Sequence, residues 1–410
     1  MGYWQYPANL LLVRILHFTD TYLPRRDGVI TSLRTLSAAL ETLGHTSTIV
    51  APRGQVSLPS LPCGVADLRL AHWPVTGGRD RLIAELAGHR PDIVHVHSPG
   101  PAGLLGVLLA QRLSIPLVQT YHTDLHAYAA AYRVPAPALW TMARLYAWKL
   151  GRPCPDASAT SRQRALDAGN ELLLGTASAV IVPTAAVLER ITLPVDPRKL
   201  YLVPTGVEKR DAAPGWRRRW GIADTDRVVL FVGRVNREKG VETLIPAFEQ
   251  VLRAEPNAKL VLIGAVYEPR WLKRMIRTDR IVVTGQLPPE EVAAAYQAAE
   301  VFAFPSLTDT QALVLQEAAL AGVPSVLLDE VLYEKGVLQR QAVLATKDTF
   351  AEGIIGLLRE REFARALGAN ARVNAQRHTP QAFVEAILGI YDSVRRMPAR
   401  SQMAIATGTV

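Results

Sequence analysis

The sequence has 410 residues, of which 49% are hydrophobic and 20% are charged, with 28 glycines and 28 prolines. This is an ordinary globular composition with room for two domains, and it excludes extended disordered, collagen-like and coiled-coil proteins. Lys and Arg total 46 against 37 Asp and Glu, a formal net charge of +9 that suits phosphorylated or acidic partners.

The cysteines and the apolar runs indicate the cellular compartment of the protein. Cys63 and Cys154 cannot build a disulfide framework and form no CxxC metal spacing, so we expect a reducing cytoplasm. The first apolar run, residues 10–16, is interrupted by Arg14 and lacks the basic region and cleavage site of a signal peptide. No later stretch reaches the ~18 uncharged apolar residues of a membrane span. We therefore expect a cytoplasmic protein, either soluble or peripheral on the inner membrane face.

Apolar runs and amphipathic patterns alternate along the chain. In the first half, the predicted strands are residues 12–18, 46–51, 92–96, 116–120 and 179–182. The predicted helices there are residues 30–44, 103–113 and 125–150. After Trp220, the predicted strands are residues 228–232, 259–263, 281–283, 301–304 and 325–328. The predicted helices there are residues 240–254, 289–299, 310–321 and 350–358. Repeated βα units with continuous apolar strands indicate an α/β fold with parallel sheets covered on both faces.

Each half of the chain contains one alternating series of strands and helices, and the two series predict two doubly wound domains. Residues 1–205 form the first domain, residues 206–221 the linker and residues 222–379 the second domain. A last helix, residues 380–397, is expected to pack back on the first domain, and residues 401–410 are expected to fray. Because ligands of open α/β sheets bind beyond the carboxyl ends of the strands, we expect the site there, in a cleft between the domains.

The strongest functional pattern is residues 233–240, Gly-Arg-Val-Asn-Arg-Glu-Lys-Gly, directly after a predicted strand. Gly233 permits a sharp turn, and Arg234 and Lys239 flank a loop that leads into a helix. Two cations beside a helix N-terminus predict an anion site. A solvated loop with incidental basic residues fits the pattern in isolation about as well.

A second pattern, residues 305–311, precedes a helix that contains Glu317. Asp309 can cap this helix, whose first turn presents free amides. The eight-residue spacing from Asp309 to Glu317 is roughly 12 Å along a helix, about the reach from the sugar to the ribose of a nucleotide-sugar. Taken alone, however, the segment fits a capped helix with a solvent-facing Glu317 better.

Together the two patterns resemble the retaining family-four glycosyltransferases of the GT-B type. The resemblance covers nearly the whole chain and also rests on residues 18–24, 27–29, 91–97, 120–123 and 203–207. It implies two facing Rossmann-like domains with a cleft between them. The Thr-Asp-Thr-Gln sequence at residues 308–311 resembles a subgroup that includes diacylglycerol glucosyltransferases.

The resemblance implies a role for each candidate site residue. Arg234 and Lys239 would bind the donor diphosphate, Glu317 the ribose and Asp309 the sugar, while His122 would contact the sugar near its reacting face. Further donor-binding residues would be Gly28, Gly233, Gln286, Thr310, Gln311, Ala312 and Leu313. Acceptor-binding residues would be Asp20, Tyr22, Asp27 and Asp124.

Three positions depart from the family pattern. Asp309 stands where Glu is usual, Ala312 stands where Gly is usual, and residues 329–332 replace a Gly-Gly loop. These changes leave the diphosphate site intact and leave the identity of the donor sugar open.

The sequence thus predicts a retaining hexosyltransferase that uses a UDP-linked sugar and no metal, because two fixed cations take the metal's role. Its acceptor is a hydroxyl of a lipid or of a small polyol or aminocyclitol. Residues 140–152, with Trp140, Trp148, Lys149 and Arg152, would approach a bilayer if the acceptor is a lipid. A sugar-nucleotide epimerase and a catalytically silent sugar-nucleotide-binding subunit are the alternatives, no nucleic acid partner is expected, and the oligomeric state is open.

Several weaker patterns receive structural interpretations. Asp224-Thr225-Asp226 precedes a strand and reads as a turn rather than a metal site. A zinc site on His122 and His126 is a minor alternative. Of His95 and His97, one is expected in the core and the other in the cleft. Residues 216–220, which mix Trp and Arg, read as a solvated linker.

Overall fold

The computed structural model of the chain describes residues 12–23, 25, 27–62, 69–73, 78–156 and 160–396. Within these ranges the chain forms two parallel sheets with helices on their faces, which confirms the predicted α/β class. Pro24, Cys63, Met397 and residues 401–410, which entered the sequence predictions, lie outside the described residues. In the described ranges, no helix is both long enough and apolar enough to cross a membrane.

The first sheet is built from the first half of the chain. The strands of this half are β1 (Arg14–Phe18), β2 (Thr46–Ala51), β3 (Val56–Ser57), β4 (Ser60–Pro62), β5 (Arg69–Ala71), β6 (Ile93–Val96), β7 (Leu117–Thr120), β8 (Ala179–Val182) and β9 (Leu200–Leu202). The parallel sheet has the order β3–β2–β1–β6–β7–β8–β9, and β4 pairs with β5 in a separate antiparallel hairpin. The strand order reverses between β1 and β6, which is where ligands of such sheets bind.

The second sheet repeats this topology. Its strands are β10 (Arg227–Val232), β11 (Ala258–Ile263), β12 (Ile281–Gly285), β13 (Val301–Phe304), β14 (Ser325–Leu327) and β15 (Val343–Leu344). They lie in the order β12–β11–β10–β13–β14–β15, and each neighbouring pair is parallel. The switch point therefore falls between β10 and β13, the two strands that the predicted site patterns follow.

Helices cover both faces of each sheet. Those before β10 are α1 (Gly28–Thr42), α2 (Gly78–Ala87), α3 (Pro101–Leu113), α4 (Leu125–Ala131), α5 (Ala136–Leu150), α6 (Arg162–Leu174), α7 (Ala185–Arg190) and α8 (Trp216–Arg219). Those after it are α9 (Val241–Ala254), α10 (Pro269–Met275), α11 (Pro289–Ala298), α12 (Leu313–Leu320), α13 (Glu330–Lys335), α14 (Phe350–Arg359), α15 (Arg361–Ala375) and α16 (Pro380–Arg396). A short 3-10 turn spans Pro197–Lys199.

The residues of each central strand alternate between two cores. In β1, Leu16 and Phe18 pack with α2 and α3, whereas Ile15 packs on the other face with α1 and α16. In β10, Phe231 packs with α9 and α14, whereas Leu230 packs with α11 and α12. Burial on both faces explains why these strands read as continuous apolar runs.

Two predicted helices have different bounds in the structure. The helix predicted at residues 125–150 is interrupted between α4 and α5, because Pro135 has no amide hydrogen and Arg133 adopts a left-handed backbone (φ 51°). The helix predicted at residues 310–321 begins only at Leu313, since Ala312 before it also has a left-handed backbone (φ 58°).

The prediction that residues 216–220 are a solvated linker is wrong. Trp216 is only 3% exposed and packs in the core of the second domain with Ile222 and Phe302. Arg217 donates hydrogen bonds to the carbonyls of Ala223 and Asp226, both at 2.6 Å. The apolar indole therefore attaches this short helix, α8, to the second domain.

The chain passes between the domains twice, and the two connections touch. After α15 the chain returns, and α16 packs on α1 with Tyr391 fully buried in the first core. At Gly206, in the outgoing connection, a Cβ would lie only 2.1 Å from the carbonyl carbon of Thr379 in the returning one. A residue without a side chain is needed for the two connections to meet.

Replacing Gly206 with Ala is expected to lower the free energy of unfolding by about 1–3 kcal/mol, because the added methyl group has to displace backbone. The midpoint of thermal unfolding, followed by calorimetry, should fall by several degrees. Gly389→Ala is the matched control: that glycine lies in α16 with open space around it, so Ala should be neutral or stabilising. Equal midpoints for the two variants would show that the connections do not make this contact.

Candidate functional site

The carboxyl ends of both sheets line one cleft of about 550 Å³ between the domains. Its wall includes residues from α1, the end of β7, the loops after β10 and β13, and α12. The predicted site residues that line it are Asp20, Asp27, Gly28, His122, Gly233, Arg234, Lys239, Gln286, Asp309, Thr310, Gln311, Ala312, Leu313 and Glu317. Tyr22 and Asp124 are not among the lining residues.

The loop after β10 holds two cations in an ion-pair cluster. The Nη2 atom of Arg234 lies 2.8 Å from Oε2 of Glu238, whose other oxygen lies 3.2 Å from Nζ of Lys239. Lys239 also pairs with Asp309 at 2.9 Å, and Arg234 donates a 3.0 Å hydrogen bond to the Tyr132 hydroxyl of the first domain. The two cations and two carboxylates balance before any ligand binds.

Glu238 and Tyr132 were missed as site residues by the sequence analysis. Glu238 lies inside the pattern at residues 233–240, between the two cations. Its position there could have identified it as a partner of both. Tyr132 carried no local signal, since it reaches Arg234 from the residue after α4 in the other domain.

A glycine contact sets the position of the loop after β10. Gly240 has a left-handed backbone (φ 73°), and a Cβ on it would lie 2.5 Å from the carbonyl oxygen of Pro305. Only glycine allows this approach without a shift of the backbone. The loops after β10 and β13 therefore touch, and Lys239 can reach Asp309.

The carboxylate of Asp309 is held by Lys239 and not by a helix end. Burial alone would raise the pKa of Asp309, but Lys239, the Ser306 hydroxyl and Arg234 hold this pKa below its ordinary value. The predicted capping role is wrong, because α12 starts at Leu313 and its N-cap residue, Ala312, has no side-chain acceptor. Asp309 is thus an ionised group next to the two cations.

Glu317 faces the cleft from α12, so the solvent-facing alternative is wrong. Its Oε2 atom accepts a 2.9 Å hydrogen bond from the hydroxyl of Tyr296 on α11. Burial raises the pKa of Glu317, and the bond from Tyr296 opposes this rise. Tyr296 orients the carboxylate, and sequence reasoning missed it because the partner lies on a different helix.

Thr310 and Gln311 connect the second domain to the first domain and to the segment between the domains. The Thr310 hydroxyl donates to the carbonyl of His122 at 2.8 Å. The Gln311 amide forms two hydrogen bonds with the backbone of Thr205, at 2.9 and 2.8 Å. The side chain of Gln311, predicted to bind the donor, is therefore engaged with the connection between the domains.

Asp20 and Tyr22 make hydrogen bonds and packing contacts within the first domain. Asp20 is 5% exposed and accepts hydrogen bonds from the Ser98 hydroxyl and, at 2.8 Å, from the amide of Ala102 at the start of α3. Tyr22 packs against a small core cluster that contains Leu33. The structure thus does not bring Tyr22 to the predicted acceptor site.

The other two predicted acceptor residues cap helices. Asp27 accepts from the amide of Ile30 at 3.1 Å and begins α1 at the edge of the cleft. Asp124 is buried and accepts from the amide of Ala127 at 3.0 Å, which begins α4. Asp27 lines the cleft, whereas Asp124 lies behind it.

His122 follows β7 and lines the cleft, and burial lowers its pKa to about 4. Its Nε2 atom lies 3.2 Å from Nδ1 of His97. His95 and His97 are both buried and do not line the cleft, so the expectation that one of them does is wrong. His126 pairs with Asp167 at 3.2 Å, which does not support a zinc site shared with His122.

The Asp-Thr-Asp segment forms a turn, as the sequence predicts. Asp226 accepts from the amide of Ala223 at 2.9 Å and pairs with Arg280 at 2.6 Å and Lys259 at 3.5 Å. It precedes β10, at the edge of the sheet away from the cleft, and its negative charge is already balanced.

Comparison with known proteins follows the same division of the chain. The family model described as Glycosyltransferase Family 4 matches residues 26–210, and the one described as Glycosyl transferases group 1 matches residues 213–374. The alpha-monoglucosyldiacylglycerol synthase of Streptococcus pneumoniae is 29% identical over 76% of this chain and 70% of its own length. The GDP-mannose-dependent alpha-mannosyltransferase of Mycolicibacterium smegmatis is 28% identical over 77% of this chain and 80% of its own.

Solved structures share the fold. The structure of HepE from Anabaena in complex with UDP-glucose superposes with a TM-score of 0.69 at 16% identity. The superposition covers 93% of this chain and all of that one (100%). Together with the two family models, this likeness shows the two-domain GT-B architecture.

Replacing Ala312 with Gly is expected to raise the free energy of unfolding by about 1 kcal/mol, because its left-handed backbone strains a residue that carries a Cβ. Urea unfolding followed by tryptophan fluorescence measures the change. The matched control is Ala319→Gly inside α12, which should destabilise by roughly 0.5–1 kcal/mol or more. If both variants destabilise equally, position 312 is not strained.

Proposed function

Because the chain belongs to the family 4 glycosyltransferases of the GT-B fold, we propose that it is a retaining hexosyltransferase that uses a UDP-linked sugar. The observation that carries this proposal is the pair of cations, Arg234 and Lys239, which the loop after β10 presents to the cleft that the first residues of α12 also line. Fixed positive charge next to free helix amides is suited to a diphosphate. The fold shared with a protein solved with UDP-glucose supports the donor class.

The donor would extend along the cleft from the diphosphate in both directions. On one side, Asp309 and the amides at the start of α12 would bind the hydroxyls of the sugar, and His122 would face it. On the other side, Glu317, oriented by Tyr296, would bind the ribose hydroxyls. The base would lie near Gln286, which lines the cleft after β12.

Transfer with retention needs no side-chain nucleophile in this arrangement. The acceptor oxygen forms a bond to C1 of the hexose on the face from which the diphosphate departs. The bond from C1 to the β-phosphate oxygen breaks, its electrons leave with that oxygen, and the oxygen takes the proton of the acceptor hydroxyl. Arg234 and Lys239 would stabilise the charge that grows on the phosphate, because they are already oriented.

Arg234→Ala and Lys239→Ala are each expected to lower kcat by about 10²–10³, the usual cost of losing one preorganised partner of a developing charge. Release of nucleoside diphosphate, measured with saturating donor, gives kcat. Arg237→Ala is the matched control in the same loop, since its guanidinium is half exposed and pairs with Glu268 outside the cleft. Wild-type turnover in both cation variants would contradict the assignment.

We also propose that turnover is independent of a metal. The acidic pair at residues 224–226 offers no free ligand set, because Asp226 is paired with Lys259 and Arg280. In the described part of the cleft, Asp309 and Glu238 are likewise paired with cations.

Activity is therefore expected to survive dialysis against EDTA, assayed as transfer of radiolabelled sugar before and after chelation. Addition of Mg²⁺ or Mn²⁺ to the dialysed protein should change the rate little. Complete loss that is restored by either ion would contradict the metal-independent mechanism.

For the acceptor we propose a lipid hydroxyl at the inner face of a membrane. The relative from Streptococcus pneumoniae is named as an alpha-monoglucosyldiacylglycerol synthase, which supports a lipid acceptor for this chain. In this chain, α5 exposes Met142, Leu145 and Trp148, which are 38%, 43% and 62% accessible and lie on one helical face. Trp140, expected to anchor the helix at the bilayer, is buried at 4% and cannot do so.

One basic residue, Lys149, lies beside this apolar face, and its ammonium nitrogen is buried against tryptophan rings. The Lys149 ammonium lies 4.1 Å from the centre of the Trp73 ring and 5.5 Å from that of Trp148. An exposed tryptophan on an apolar helix face is typical of helices that lie in the headgroup region of membranes, and the net charge of +9 favours an anionic surface. Leu125 and Tyr128 of the preceding helix, α4, line the cleft, which would place the membrane next to the acceptor end.

The wild-type protein is expected to sediment with anionic liposomes at low salt and to be released at high salt. A Leu145→Ala, Trp148→Ala double variant should stay in the supernatant. Phe363→Ala is the control, because Phe363 is 51% exposed on α15 of the second domain. If the wild-type protein does not sediment at low salt, the lipid acceptor is excluded and a small polyol takes its place.

A further inference from the structure

A chain of histidine rings runs from the core of the first domain to the cleft. His17 on β1 and His95 on β6 are neighbours in register, and His97 follows two residues later. The Nδ1 atom of His17 lies 3.0 Å from Nε2 of His97, and Nδ1 of His97 lies 3.2 Å from Nε2 of His122. Three rings are thus linked end to end, and the last ring lines the cleft.

The rings are neutral, because burial disfavours the imidazolium form. It lowers the pKa of His17 to about 3 and that of His122 to about 4, and it lowers the pKa of His97 well below its ordinary value. A neutral imidazole carries one N–H and one acceptor nitrogen. The three rings must therefore donate in the same direction along the chain.

The histidines could also suggest a metal site, since a ligand atom from each of His17, His95 and His97 lies within 4.8 Å of the others. The contacts of His95 argue against this. Its Nδ1 atom lies 2.6 Å from the hydroxyl of Tyr391, and its Nε2 atom lies 2.8 Å from that of Thr120. Both nitrogens of His95 are already in hydrogen bonds, so the geometry favours a hydrogen-bonded chain.

The inner end of the chain decides its direction. The Nε2 atom of His17 is buried and has no hydrogen-bond partner among the residues that the structure describes. If the chain donated inward, from His122 to His17, this atom would be a buried N–H without an acceptor. If it donates outward, the atom is an unpaired acceptor. Buried unpaired N–H groups are rarer than unpaired acceptors, so the outward direction is favoured.

We propose that His97 and His17 are positioning residues that hold His122 with its proton on Nδ1. His122 then presents an N–H group to the cleft, and the ring donates a hydrogen bond. Its partner would be an oxygen of the bound donor, a sugar hydroxyl or a phosphate. This last step rests on the proposed function, whereas the position of the proton does not.

The proton positions are measurable by NMR on the full-length protein labelled with ¹⁵N-histidine, without any ligand. Signals of the three rings are assigned by their loss in the variants His17→Asn, His97→Asn and His122→Asn. The expected result is a protonated Nδ1 and an unprotonated Nε2 in all three rings. A protonated Nε2 in His122, or a transition metal bound stoichiometrically to His17 and His97, would overturn the proposal.

The role in turnover is tested by a double-mutant cycle. His97→Leu removes the donor and is expected to lower kcat about tenfold, the size of one neutral hydrogen bond. His97→Asn keeps a side-chain donor and should retain activity within about threefold of wild type. In a His122→Ala background, His97→Leu should have no further effect on kcat, because His97 acts through His122.

A full additional loss in that background would show that His97 acts on the structure and not through His122. If His97→Leu does not fold, the His97→Asn variant and the wild-type spectrum still decide the proposal. Should the protein transfer no sugar at all, the proposed function fails, while the NMR result continues to test the proton position by itself.

Discussion

The ion pair between Lys239 and Asp309 is the contact on which the site depends. It joins the loops that follow β10 and β13, neighbouring strands at the switch point of the second sheet. Glu238 extends the pair to Arg234, so both cations are oriented before a ligand arrives. Charge that is already in place needs no reorganisation when a leaving group becomes negative, and this makes it effective in catalysis.

The first domain also contacts the loop after β13, from the side opposite to Lys239. Arg190 donates to the carbonyl of Asp309 at 2.8 Å, and Thr184 donates to that of Thr310. Gln311 binds the backbone of Thr205 in the connection between the domains. Because one short loop carries both the cleft-facing carboxylate of Asp309 and these contacts, the approach of the domains and the shape of the cleft are coupled.

Much of the fold was readable from local sequence. Buried parallel strands are continuous apolar runs, and the loops after them are the places where α/β sheets carry ligands. The site residues that the sequence analysis missed are far from their partners in the sequence. Tyr296 orients Glu317 from another helix, and Tyr132 contacts Arg234 from another domain. The predicted start of α12, residue 310, differs from the observed start at Leu313 for a local reason. Ala312 has a left-handed backbone, which composition does not reveal.

The most direct measurement of the central claim is the configuration of the product. The protein is incubated with α-linked UDP-, GDP- and ADP-hexoses in the presence of diacylglycerol or polyol acceptors, and the anomeric proton of the new glycoside is read by NMR. The account predicts release of the nucleoside diphosphate together with an α-linked glycoside. A β-linked product would contradict retention, and an epimerised sugar formed without an acceptor would contradict glycosyl transfer itself.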